Sequence, residues 1–550
     1  MNNGRIRGMA NQERVSDEIQ SIHILHLPMD VLSGIFDCLL NDRNVTPPCD
    51  LDVKTIQSAR LVCSLFNYLA SPLLCPVVTV NLDQASLDRA GEISRTPLIA
   101  AGVREIDVEL DYRPKELADD FVRYKNQRQK DLDGWIRSCE HYADTWHYGG
   151  YDEDDETVCK QPLRVYNKAM ETYWEIKSAW DHCILGPDVG AMDDDTFRYR
   201  QVLWKGHEEY RRKHEEQFKL IMDGSFVETL ASVISRMGSC TSLRFGDKAS
   251  SRSDPSPYRN DPTLMSTDPE MLSGLMATSF DWRAIERLDG AELLPAKVLS
   301  ELLIAIHKAG TVMPVIKLAC FPTTNNYSMI RPGRNLDWSD LRSASQKLTA
   351  VRFKGNSQPI RLRSLLPEEQ APMDEYLGAI LSGQNIEDVD LDFYNFKLND
   401  GSGVLHGLHH IGAVFVTANW PSLKRLQLSH ASFHQGELET FCRSLDGDRI
   451  NRVSLYDVEL LSGSWAGAID ILREKLSLRC LDGKCEVRFD GLRGGEFEKK
   501  RIKKSKGHGS IEVQSYVSGV GSLNPLVNKV AVKQWVNPAK AKKAVPVVED

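Results

Sequence analysis

Residues 423–428 read Leu423-Lys424-Arg425-Leu426-Gln427-Leu428, and the body of the chain is read outward from them. Apolar residues at the first, fourth and sixth places, with polar ones between, fit a strand that buries one face and exposes the other. The spelling recurs. Met313-x-x-Ile316-x-Leu318, Leu348-x-x-Val351-x-Phe353, Ile386-x-x-Val389-x-Leu391 and Ile450-x-x-Val453-x-Leu455 share it. Val103-x-x-Ile106-x-Val108 is an earlier copy, and Cys240-x-x-Leu243-x-Phe245 a weaker one. Central anchors at 243, 316, 351, 389, 426 and 453 are separated by 73, 35, 38, 37 and 27 residues. The long first interval is expected to hide a degenerate copy around Trp282 to Leu293.

Helical stretches at Val298 to His307, Met373 to Leu381 and Leu438 to Leu445 alternate with these strands. Ahead of them Val78, Val80 and Leu82 alternate, followed by a helical stretch from about Ala85 to Ala101. One strand and one helix per unit cannot bury an apolar face alone, and stacking buries it. The expected fold class is therefore mixed α/β, with a leucine-rich-repeat-like α/β solenoid. An ordinary α/β sheet is the alternative, and the shared offset of the anchors favours the repeat. The divisions are a flexible N-terminus (1–22), a first packed unit (23–75), a first repeat-like strand and helix (76–112), an insertion (113–222), the array (223–492) and a basic tail (493–550).

Two segments interrupt the array. The insertion is charged and aromatic, and carries helical seams. Leu117, Phe121, Tyr124, Leu132, Trp135, Cys139, Tyr142 and Trp146 recur in threes and fours once Arg128 is counted as the one polar member, as do Leu163, Tyr166, Met170, Tyr173, Trp180 and Ile184 with Lys177 in the seam, and a third helix is expected over about Thr196 to Met222. The second, 249–269, is rich in Ser, Pro and Asp and is expected to be a mobile loop. Ser256-Pro257 within it is read as unmodified linker. The tail from Arg493 carries 12 basic and 5 acidic residues, and is read as a solvated polar tail in preference to a nuclear-import or anion-binding patch.

Composition narrows the function. The 550 residues hold 68 basic and 77 acidic side chains, a formal charge of −9, which disfavours general nucleic-acid binding. Twelve cysteines form no C-x-x-C pair, and Cys480 and Cys485, the closest two, have no zinc-completing neighbours. No signal-like or membrane-length apolar run is present. The expectation is a cytoplasmic or nuclear protein with no metal, cofactor or membrane partner. Enzyme signatures are also missing. His207-Glu208-Glu209 lacks the second zincin histidine, Gly401-Ser402-Gly403 lacks a third glycine, and no nucleophile elbow or P-loop occurs. His406, His409 and His410 are read as lone surface histidines that share a helix face, without a carboxylate partner.

The first packed unit has its own pattern. Leu32, Ile35, Phe36, Leu39 and Leu40 recur at helical spacing behind Leu27-Pro28, with Asp30 favourable in the first turn. A second run passes through Ile56, Ala59, Val62, Cys63, Phe66 and Leu69 until Pro72 stops it. Together they read as a helical hairpin of about 50 residues, small for an independent core.

Leu27-Pro28-x-x-Val31-Leu32-x-x-Ile35-Phe36-x-x-Leu39, then Arg60-Leu61-Val62-Cys63-x-x-Phe66-x-x-Leu69, resembles the F-box. Asp30 stands where that family usually has Glu, and Phe66 where it often has Trp. The connection from Asn41 to Leu51 is roughly ten residues longer than usual. The body is similar, less specifically, to the leucine-rich-repeat-like half of F-box proteins of filamentous fungi. The resemblance implies a non-catalytic substrate receptor of an SCF (Skp–cullin–F-box) ubiquitin ligase. It also implies that Leu27, Pro28, Val31, Leu32, Ile35, Phe36, Leu39, Val62, Cys63, Phe66 and Leu69 bind a Skp-type adaptor and, through it, a cullin scaffold.

A receptor needs a second surface. Positions beside the repeat anchors give Lys317, then Arg352 and Lys354, then Asp388, Asp390 and Asp392, then Arg425 and Gln427, then Arg452, Ser454 and Tyr456. All of these but Gln427 and Ser454 are the candidate target-binding residues for an unknown target protein. Their signs also suit a ladder of cross-strand ion pairs, the preferred reading. The alternative function is an interaction scaffold with an F-box-like hairpin that works outside a ligase.

Overall fold

The second and third apolar anchors of each copy fall into the same two rows of one sheet. The computed structural model describes residues 24–38, 50–148, 156–181, 183, 194–250, 269–322, 325–333, 335–354, 364–365, 367–394, 396–399, 405–497 and 508–527. The chain divides into two compact units, Met1–Leu74 and Cys75–Asp550.

In the larger unit, the described residues place nine strands side by side in strict chain order. They are β1 (Val77–Asn81), β2 (Glu105–Glu109), β3 (Ser242–Gly246), β4 (Val315–Leu318), β5 (Ala350–Lys354), β6 (Asp388–Asp392), β7 (Arg425–Ser429), β8 (Arg452–Tyr456) and β9 (Glu486–Asp490). Every pair is parallel and unshifted. Val78, Ile106, Leu243, Ile316, Val351, Val389, Leu426, Val453 and Val487 therefore form one row, and Val80, Val108, Phe245, Leu318, Phe353, Leu391, Leu428, Leu455 and Phe489 the next. All are buried in a single core, each contributing about 1.5–3 kcal/mol of transfer free energy.

Helices follow the strands and pack on one another in the same order. Gln84–Arg95 lies against Ser225–Ser235, which packs on Val298–Lys308, and so on through Trp338–Ser345, Pro367–Ile380, Gly412–Thr417, Gln435–Ser444 and Trp465–Leu481. The helix expected to Ala101 stops at Arg95, because Pro97 opens a separate turn, Pro97–Ala100. A second sheet of short strands, with Leu405–His410, Ala431–His434 and Glu459–Ser462 pairing in parallel, takes the chain as it leaves β6, β7 and β8. His430 (φ 57°), Asp457 (φ 48°) and Gly491 (φ 65°) stand at equivalent corners after β7, β8 and β9. Each needs left-handed backbone, which Gly adopts freely and His or Asp tolerate.

The interval between β3 and β4 hides no repeat, because those strands pair directly. Its described residues form the helix Pro269–Met276, a bridge from Phe280 to Tyr112, and the turn Trp282–Ile285. The buried Trp282 donates its indole N–H to the Leu110 carbonyl at 2.7 Å. The insertion between β2 and β3 is helical as expected, in Lys115–Asp119, Phe121–Tyr148, Glu156–Asp181 and Asp194–Met222. The loop expected at 249–269 lies almost wholly outside the described residues. The tail expected to be solvated from 493 is corrected in part. Helix His508–Val517 packs on β9 and on Trp465–Leu481, with Val513, Val517 and Leu526 buried in the common core. Tyr516 and Asn524 both bond to Asp470.

The smaller unit contains α1 (Met29–Cys38), α2 (Asp50–Arg60) and α3 (Ser64–Ala70). The second run is thus two helices and the unit is no simple hairpin. Cys63 is fully extended (φ −163°, ψ 170°) and caps α3, its sulfur accepting the Phe66 N–H.

Candidate functional site

Two surfaces merit the name, one on each unit. In the smaller, the interior is minimal: Phe36, Ile56 and Ala70 form the buried cluster, with Phe66, Leu69, Leu73 and Leu74 partly covered against it. Phe36 meets Phe66 edge to face at 5.2 Å. Arg60 closes the far end, donating to Ser71 Oγ at 2.9 Å and Asn67 Oδ1 at 3.3 Å. Leu32 is also buried. Leu32 and Phe36, expected on the adaptor surface, are therefore structural members of the unit.

The remaining expected residues differ in access. Leu27, Cys63, Phe66 and Leu69 are half-buried, and Pro28 is exposed. Leu39 lies outside the described side chains. Val31 is 47%, Ile35 42% and Val62 64% exposed, and Leu61, which is in the motif but not among the expected adaptor contacts, is 88% exposed. Ile24, Leu25 and Met29 are also uncovered. Among the described residues of this unit, much of the aliphatic surface thus faces solvent. Leu61 was legible only as the apolar residue between Arg60 and Val62.

The second surface is the sheet face opposite the anchors. Register places Lys317, Arg352, Asp390, Gln427 and Ser454 in one row, and Asp388, Arg425 and Arg452 in the row before it. Lys354, Asp392 and Tyr456 share the third row. The expected ladder forms. Asp388 accepts Arg352 at 3.1 Å and Arg425 at 2.8 Å through one oxygen, Lys424 meets Glu387 at 2.7 Å, and Arg452 meets Glu486 at 2.8 Å. Lys354 is 3.9 Å from Asp390. His430 joins the Asp392 carboxylate at 2.8 Å, beyond the strand ends.

Toward β2 and β3 the same face is closed. Arg244 and Asp107 pair at 2.6 Å, both nearly inaccessible, and Lys317 reaches Glu105 at 2.5 Å. The turn Asp247 to Ser250 holds Arg244, its Ser250 carbonyl accepting the guanidinium. Burial pushes the Asp111 carboxyl there up to about 7, despite the nearby Lys248 cation and a bond from the Lys248 N–H. Burial also raises Asp247. Apart from Lys317, sequence reading missed these groups, because charged residues beside apolar anchors look exposed.

The histidines need correction. His406, His409 and His410 lie on a strand, not a helix. His409 is fully buried against Phe393, with Asp374 3.6 Å away, and His410 bonds to Glu437 at 2.8 Å. Among the described residues no group of three or more His, Cys, Asp or Glu is placed to hold a metal, and no helix is long and apolar enough to cross a membrane. Comparison of the chain with protein-family models, with curated proteins and with solved structures gives no match in any of the three.

Proposed function

We propose that the chain is a substrate-recognition subunit of an SCF-type ubiquitin ligase. The smaller unit, read as an F-box, docks a Skp-type adaptor, and the larger unit, read as a leucine-rich-repeat-like solenoid, presents a target on its sheet face. The observation that carries this reading is the exposure of Val31, Ile35, Leu61 and Val62 beside a three-residue buried cluster. The motif residues sort into members that hold the unit together and members free to bind. The in-register rows of nine parallel strands favour a stacked repeat over a wound sheet, whose strand order reverses at a switch point. The receptor itself makes and breaks no bond. It raises the effective concentration of target lysines near a charged conjugating enzyme.

The test is capture of purified Skp-type adaptor by the full chain. Ile35→Asp with Val62→Asp removes exposed apolar contacts without touching the buried cluster. Each such contact is worth about 1–4 kcal/mol at an interface, so affinity falls at least a hundredfold while thermal unfolding stays in place. Capture by the double variant at wild-type strength, or no capture by the wild type, overturns the reading.

A further inference from the structure

On the open part of the sheet face the charges are layered. Asp388 is 14% exposed at the floor, whereas Arg352 and Arg425, which share its single oxygen, are 44% and 53% exposed above it. Asp390 lies beneath Lys354 in the same way, at 18% against 63%. At Asp388 and Asp390 solvent therefore meets cations resting on carboxylates, while Glu387, at 43%, stands level with its partner Lys424, at 47%, on a chain whose net charge is −9. Across the ends of β4 to β7 this surface encloses a groove of about 500 Å³ lined by Lys317, Arg352, Lys424 and Arg425, with Glu387 and Asp388 as its acids. Adding Glu105, which holds Lys317 from outside the groove, four cations still face three carboxylates. Two guanidinium groups on one oxygen keep planar N–H donors to spare, the geometry that grips a second carboxylate.

We propose that this groove binds an extended acidic segment of a partner protein, with Asp or Glu side chains seated between Arg352 and Arg425. This names the partner class for the second surface of the receptor reading and rests on it. A polypeptide suits the site better than a nucleic acid. The floor carboxylates repel a dense row of phosphates, and the groove lining has no aromatic ring on which bases could stack.

The experiment measures fluorescence anisotropy of a labelled twelve-residue Glu/Asp peptide with the full chain, beside its Gln/Asn counterpart and a single-stranded oligonucleotide. The acidic peptide is expected to bind at least tenfold tighter than the neutral one, weakening severalfold between 50 and 300 mM salt as partly exposed ion pairs are screened (order-of-magnitude expectations). Arg352→Gln with Arg425→Gln removes about tenfold of that affinity, and Lys484→Gln, on an exposed pair with Asp482 outside the groove, removes none. Equal binding of both peptides, an unaffected double variant, or tighter binding of the oligonucleotide overturns the proposal. Adaptor capture is read separately, so failure here leaves the adaptor half of the receptor reading to its own test.

Discussion

The two units invert each other. The smaller keeps three residues in its buried cluster and leaves Val31, Ile35, Leu61 and Val62 outside. The larger threads one core from Val78 to Leu526 and puts paired charge on its open sheet face. Apolar burial scales with size, so a unit of some fifty residues is marginal while a stacked body is self-sufficient. The lesson is that buried and open apolar surface are concentrated in different parts of the chain. Charge on the body keeps a broad face wet and selective, and aliphatic surface on the small unit rewards whatever covers it.

Four substitutions sharpen that contrast. Arg244→Ala strikes the closed end of the sheet face and strands Asp107 without its 2.6 Å partner. Breaking a buried pair costs about 3–5 kcal/mol, read as a lower denaturant midpoint for the body. Ile56→Ala empties the fully buried centre of the smaller unit, at about 2–5 kcal/mol. Proteolysis within residues 24–74 should speed up while the main unfolding transition stays put, and a joint shift of both would break the two-unit picture.

Asp111→Asn gives a smaller, pH-dependent effect. Its carboxyl titrates near 7 in the fold against 3.8 ordinarily, so the folded chain holds this proton longer than the unfolded one. The associated stability is full below about pH 4 and is lost as pH rises through 7. The variant should match wild type near pH 4 and be more stable at pH 8, on the order of 2 kcal/mol, in parallel thermal melts. Arg452→Ala, on the open part of the face with an exposed Glu486 partner, should cost under about 1 kcal/mol. A cost like that of Arg244→Ala would show that the two ends of the face are not different after all.

The body was legible because its signal is periodic. A strand that buries one side must repeat its apolar residues, and Leu423, Leu426 and Leu428 do so in step with their neighbours. Several features carried no such signal. The break at Cys63 sits inside a run whose spacing continues unbroken on paper, since an extended cap costs no apolar residue. The closing helix His508–Val517 follows a lysine-rich stretch that reads as solvent-loving. Ion pairing of Arg352 and Arg425 was anticipated from alternating signs, but their layering over Asp388 depends on side-chain length and burial, which spelling does not convey. The burial of Leu32 was equally hidden, because its helical pattern does not separate a residue that holds the unit from one that faces outward.

The unshifted register has an evolutionary corollary. Leu426 and Val453 occupy the same row 27 residues apart, so excising 426–452 would join Arg425 to Val453 with inside and outside preserved. Duplicating the same block would widen the sheet by one strand spacing, about 4.8 Å. Such a chain can change its span in whole increments by recombination, presenting a longer or shorter face without redesigning its interior.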